Sequence, residues 1–185
     1  MKKISLLAIL LIATSTLVLA QPRAIGGRLG WDLGASYQHQ IGEKNMIQAD
    51  LDFLGWGLWG TQATVTFNWL IPLVSVNAGE LNLYPGVGIG GGYEWFERKY
   101  WVWYTEYPYA GWAGSAFVGV AGMIGIEWRF KFPLELSFEY RPLIGPEFYS
   151  TKRYGYTNGI STCFYWNGLW ASAVAVGVRY KFGGK

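Results

Sequence analysis

One histidine and one cysteine leave little material for catalysis in a chain of 185 residues. A triad-type hydrolase or acyltransferase gathers a histidine, a hydroxyl nucleophile and a carboxylate at one place. Only His39 can fill the first role, and no His-x-Ser pair accompanies it. One histidine with one cysteine also cannot assemble a metal site of the usual kind, so neither a metal nor another cofactor is expected. Cys163 has no partner for an internal disulfide. In an oxidising compartment it stays reduced or bonds to another chain; the first is the simpler reading, and no chemistry rests on it.

A second absence concerns long apolar runs. After residue 20 no uncharged stretch has the length that a membrane-spanning helix requires. Before it, the pattern is that of a secretory signal peptide. Lys2 and Lys3 open a short basic region, Ile4 to Leu19 are uncharged and mostly apolar, and Val18 and Ala20 are small residues before Gln21. Cleavage there would leave residues 21–185 as one domain. A retained anchor is the alternative. No cysteine follows the cleavage site, which argues against a lipoprotein. Without Lys2 and Lys3 the fifteen basic side chains fall to thirteen, against twelve acidic ones. A near-neutral domain with no clustered basic face is a poor match for nucleic acid.

What the chain has in abundance is eleven Trp, thirteen Tyr, ten Phe and 26 Gly. They are laid out with a period of two, the signature of strands. Ile47, Ala49, Leu51 and Phe53 alternate with Gln48, Asp50 and Asp52; Ala63, Val65, Phe67, Trp69 and Ile71 alternate with Thr64, Thr66 and Asn68. From Leu83, an apolar set ending at Tyr93 and Trp95 alternates with Asn82, Tyr84, Gly86, Gly88, Gly90, Gly92 and Glu94. Val118 to Phe130, Leu134 to Tyr140 and Val174 to Phe182 repeat the pattern, with Glu127, Arg129, Glu135, Glu139, Arg141 and Arg179 in the opposite set.

Segment 25–40 also alternates. Taken as one strand it makes seven in all, which would put the termini at opposite ends, whereas single-chain bacterial barrels have even counts. A three-residue turn at Asp32-Leu33-Gly34, with Gly34 in the left-handed region and Trp31 opposite Ala35, restores eight. The expected fold is therefore an all-β, eight-stranded, antiparallel up-and-down transmembrane barrel. Its short turns, at Gly42–Asn45, Ala78–Leu81 and Phe132–Pro133, fall at the periplasmic end. The long connections at 97–112 and 146–168 fall outside, the division such barrels show.

The chain resembles the small outer-membrane barrels of the OmpA transmembrane-domain, OmpX and OmpW type, also called opacity-like barrels. The residues that carry this are the closing strand Val178-Arg179-Tyr180-Lys181-Phe182 and the Gly-alternating segment Leu83-Tyr84-Pro85-Gly86-Val87-Gly88-Ile89-Gly90. The resemblance implies a bacterial outer membrane location, lipid and lipopolysaccharide as surroundings, and recognition of the last strand by the barrel-assembly machinery. Gly183-Gly184-Lys185 follows Phe182, a departure from a terminal aromatic.

Three features are candidates for function. Alternation sends Arg28, Asp50, Asp52, Glu94, Glu127, Arg129, Glu135, Glu139, Arg141 and Arg179 into a lumen that eight strands leave just wide enough for side chains. Such charges pair as a closed plug or gate a narrow conduit. The inward glycines either make room for Tyr84 or Phe117 or leave a cavity. The two long connections hold Tyr100, Trp101, Trp103, Tyr104, Tyr107, Tyr109 and Trp112, and Tyr154, Tyr156, Tyr165 and Trp166. Some of these rings belong to an interfacial girdle; the surplus suits an extracellular ligand or partner protein. A non-enzymatic structural or surface-binding protein is the leading expectation. A narrow channel for small molecules, hydrophobic ones included, comes second, and a lipid-modifying enzyme third.

Overall fold

The computed structural model describes residues 22–95, 114–153, 156–165, 169 and 173–183. Twelve strands run in chain order: β1 Arg23–Gly30, β2 Leu33–Ile41, β3 Asn45–Leu54, β4 Gly60–Trp69, β5 Ile71–Val76, β6 Gly79–Glu94, β7 Ser115–Phe130, β8 Leu134–Tyr140, β9 Leu143–Ile144, β10 Pro146–Arg153, β11 Tyr156–Phe164 and β12 Val174–Phe182. Eight of them, β1, β2, β3, β4, β6, β7, β8 and β12, pair in turn and close when β12 meets β1. The other four lengthen the staves: β5 pairs with the start of β6, β9 and β10 continue the line of β8 along β7, and β11 pairs with β10. The fold is thus a closed, eight-stranded antiparallel barrel with the start of β1, Arg23, and the end of β12, Phe182, side by side.

Register fixes the geometry of closure. From Gly27 one circuit runs through Ala35, Leu51 and Ala63 to Gly91. The opposite circuit runs through Val178, Leu136 and Trp128 to Leu81. The two meet β6 ten residues apart, a shear of ten for eight strands, so the staves are tilted and the lumen is narrow.

The eighth strand exists, but its turn lies elsewhere than expected. Leu29 pairs with Leu33 and Gly27 with Ala35, which centres the β1–β2 turn on Trp31 and Asp32 instead of Asp32-Leu33-Gly34. The shift of two residues preserves parity, so every side chain of the hairpin keeps its face. Gly34 is a strand residue with no positive φ. A Cβ there would collide with the Asp52 carboxylate and its neighbour's backbone; the lumen, not the turn, demands glycine. Left-handed backbone is concentrated instead in the β3–β4 turn, where Gly55, Trp56 and Gly57 have φ of 56°, 61° and 85°.

Two further differences have separate causes. Segment 71–76 forms β5, and part of 146–168, expected as open loop, is the β10–β11 hairpin. In β5 a residue is inserted at Pro72/Val74 and the period of two slips. Past Tyr140 the register along β7 is unbroken, from Ile124↔Tyr140 through Ala121↔Leu143 to Glu147↔Phe117, and Pro142, Gly145 and Pro146 disguise the strand. Among the described residues no helix is long and apolar enough to cross a membrane.

The barrel is apolar outside and polar inside. Val87, Ile89, Val118, Val120, Ile124 and Phe138 are each more than 49% exposed, whereas Arg28, Gln48, Asp50, Asp52, Glu127, Glu135, Glu139, Arg141 and Arg179 are buried. The inward glycines are filled by neighbours. A Cβ on Gly92 would strike the Phe117 ring, one on Gly90 the Thr64 and Leu143 side chains, and one on Gly125 the Tyr84 ring. Packing relief is therefore what they provide along this stretch.

Candidate functional site in the barrel lumen

Nine of the ten predicted lumen charges form one continuous chain of ion pairs. At its upper end, nearer the long connections, Arg141 Nη1 lies 2.5 Å from Asp50 Oδ2, while its Nη2 pairs with Asp52 and its Nη1 also donates to Thr64 Oγ1. Arg28 bridges to the next level, with Nη1 2.8 Å from Asp52 Oδ1 and Nε 2.9 Å from Glu139 Oε2. Arg179 pairs with Glu139 through Nη2 and reaches Glu135 Oε1 at 3.4 Å. At the lower end Arg129 Nε lies 3.4 Å from Glu135 Oε2 and 2.5 Å from Glu127 Oε1.

Glu139 is the hub. Besides Arg28 and Arg179, it accepts from the Tyr84 hydroxyl at 2.7 Å, the Ser137 hydroxyl at 2.7 Å and the Gln48 amide at 3.2 Å. A carboxylate has about four lone-pair sites, and this one is saturated. Arg179 is held equally firmly, donating from Nε to Ser36 at 2.9 Å and from Nη1 to Ser137 at 2.7 Å. Gln38, Gln48 and Asn82 fill the remaining gaps as neutral links, with the Gln38 amide oriented to donate to Glu135 Oε1 at 2.7 Å and accept from Arg179 Nη1 at 3.2 Å, and Asn82 Nδ2 donating to Glu127 Oε1 at 3.3 Å. Sequence alternation puts Gln48, Tyr84 and Ser137 inside but gives no sign that they complete the shell of one carboxylate.

Towards the long connections the charges give way to a small apolar layer of Leu54, Phe117, Ala121, Leu143 and Tyr165. The Phe117 and Tyr165 rings stack at 4.0 Å between centroids, 5° from parallel. Tyr165, predicted as part of an exposed binding loop, is only 2% exposed and belongs to this layer. Glu94 is also buried, at the loop end of β6, where its register partners are Gly60 and Ser115. Glu147 is buried as well, with the Cys163 thiol 3.6 Å from its Oε2. It continues the inward odd-numbered set of Glu139, Arg141 and Leu143 in unbroken register along β7, and was not anticipated because 146–168 was read as a loop.

Of the other aromatic loop candidates, Tyr100, Trp101, Trp103, Tyr104, Tyr107, Tyr109, Trp112, Tyr154 and Trp166 lie outside the described residues, and Tyr156 is described only as the first residue of the β11 backbone. The leader-like residues 1–20 also lie outside them. Among the described residues no group of three metal-ligating side chains occurs. Comparison of the chain with family models, curated proteins and solved structures finds no match in any of the three.

One titrating group stands at the edge of the site. Asp32, in the β1–β2 turn, accepts a hydrogen bond from the Gly55 backbone N–H at 2.8 Å and so ties two loop-end turns together. Burial, reinforced by the nearby Asp52 carboxylate, outweighs that bond and the pull of Arg141 and Arg28, lifting its pKa from 3.8 to about 6. A raised carboxyl pKa means the folded state holds the proton more tightly than the unfolded chain. Its contribution is fully present below pH 3.8 and is lost as pH rises through about 6. Carbon-detected NMR of the Asp32 carboxyl is expected to show a midpoint near 6, and Asp32→Asn is expected to remove that part of the pH dependence of stability.

Proposed function

We propose that this chain is an integral barrel of a bacterial outer membrane, closed to solute flow, with a structural or surface-binding role and no catalytic one. The observation that carries this is the inversion of polarity. A soluble barrel buries its apolar face, but here the apolar face is the outer one and the charged face the inner one. Rows of rings border that outer face. Trp31, Trp56, Trp59, Tyr93 and Trp95 stand at one end and Trp128, Phe130, Phe132, Tyr180 and Phe182 at the other. Between these rows the outward positions of the eight strands carry no Asp, Glu, Lys or Arg. Two aromatic girdles flanking an uncharged band match the two interfaces and the hydrocarbon of a bilayer.

The partners that follow are lipid and lipopolysaccharide around the band, the barrel-assembly machinery reading Val178–Phe182, and a ligand or protein met by the aromatic connections. Lumen occupancy favours the closed reading over a channel, since nine charges and an apolar layer fill the bore. The test is planar-bilayer recording of the refolded protein. No single-channel steps are expected from the wild type, and reproducible steps of uniform size would overturn the closed lumen.

A further inference from the structure

The lumen is filled at the loop end and along its middle, yet it opens at the end that carries Arg23 and Phe182 into a vestibule of about 530 Å³. That volume lies in the range of small-molecule sites. Gln38, Arg129 and Glu135 line its inner part, and Val76, Phe130, Phe132 and Pro133 give it an apolar rim.

Charge in the vestibule is unbalanced. Arg23, Arg129, Lys131 and Lys181 face Glu80 and Glu135, and Glu135 is already shared between Arg129 and Arg179. The Lys181 ammonium donates to the Phe130 backbone carbonyl, and among the described residues no carboxylate is paired with it. Arg129 turns the outer edge of its guanidinium to neutral atoms. Nη1 donates to Gln40 Oε1 at 3.2 Å, and Nη2 has the Met46 sulfur at 4.0 Å. The Lys181 ammonium and the outer edge of the Arg129 guanidinium, whose Nε stays with Glu127 and Glu135, thus meet the vestibule with neutral acceptors only, beside apolar side chains. Charge-assisted bonds to a carboxylate would be stronger than either present contact.

From this we propose that the vestibule is a binding site for a small amphipathic carboxylate, its head between Lys181 and Arg129 and its short apolar body against Val76, Phe130 and Phe132. The closed-lumen reading is used only for the consequence that such a ligand enters and leaves by the same mouth.

The experiment uses the full chain refolded in nanodiscs of zwitterionic lipid, with hexanoate and uncharged hexanamide as probes. Folding of each variant is checked by the faster migration of the unboiled barrel on a detergent gel. Hexanoate is expected to shift the backbone amide resonances of residues 129–132 and 181 saturably, and hexanamide is expected not to. Lys181→Gln is expected to weaken hexanoate binding by roughly tenfold or more, the size of one charge-assisted bond, and Lys181→Arg to retain it. Lys181 lies at the rim, so its replacement strands no buried carboxylate, as loss of Arg129 would. Equal shifts with hexanamide, no saturable shift, or unchanged affinity in folded Lys181→Gln would overturn the site. Failure here leaves the silent-bilayer result untouched, and channel activity would leave the hexanoate data standing, so the two readings fail separately.

Discussion

Glu139→Gln is expected to destabilise the barrel by about 3–5 kcal/mol, the cost of removing one partner from a buried ion pair. Two guanidiniums, of Arg28 and Arg179, converge on this carboxylate, and both are buried. The amide keeps the size of the side chain, so packing changes little. It loses the charge, and its nitrogen becomes a donor aimed at a site where five donors already converge. Urea unfolding of the refolded protein in lipid vesicles measures the loss. A contrasting control is the double change of Glu139 and Tyr84 to Gln and Phe. It relieves one stranded donor, and a smaller penalty than the sum of the two single changes shows that they act through the same carboxylate. A Glu139→Gln protein as stable as the wild type would mean that the network contributes nothing and the bore is held open or shut by other means.

Val87→Arg tests the outer face. Val87 lies halfway along β6, points outward and is 55% exposed. In a barrel that stands in water, an exposed Val→Arg change falls within about 0.5 kcal/mol of neutral. At the midplane of a bilayer the same change costs about 2–4 kcal/mol. The same urea titration in vesicles decides between them. Val76→Arg, at the end of β5 and level with Phe130 of the lower ring row through their shared neighbour Gly79, serves as the partner measurement, since the penalty fades near an interface.

Most of the architecture was legible because the period of two survives one-residue ambiguity in turns as long as parity is kept. The β1–β2 turn shows this. Gly34 looks like the left-handed residue of a turn, yet the turn is made by Trp31 and Asp32, and Gly34 is there because Asp52 occupies the space a side chain would need. A glycine required by a neighbour across the lumen and a glycine required by a positive φ look alike in a sequence. Legibility ended where the period slips, at Pro72, and where Pro142, Gly145 and Pro146 make a strand in unbroken register look like a loop. β5 and the β10–β11 hairpin went unrecognised, Glu147 was missed, and Tyr165 was placed on the surface when it lies stacked on Phe117.

The candidate site divides along the same line. Which charges point inward follows from alternation, so Arg28 through Arg179 could be named. Which of them meet depends on shear. Arg28 and Glu139 are 111 residues apart in sequence and touch because a tilted sheet brings β1 and β8 to one level. No local pattern encodes that pairing. The vestibule was equally invisible, because it is made where the staves end at unequal heights: β5 and β6 run on past the β2–β3 turn, and Lys181 turns inward beside them.

The central claim, a barrel whose apolar outside faces lipid, is tested most directly by extraction of the natively expressed protein from isolated outer membranes. Washing with high salt or alkaline carbonate breaks electrostatic attachment but leaves hydrophobic insertion intact. The account predicts that the protein stays with the membrane through both washes and leaves only with detergent, still folded and migrating faster unboiled than boiled. Release by high salt alone, without detergent, would contradict it.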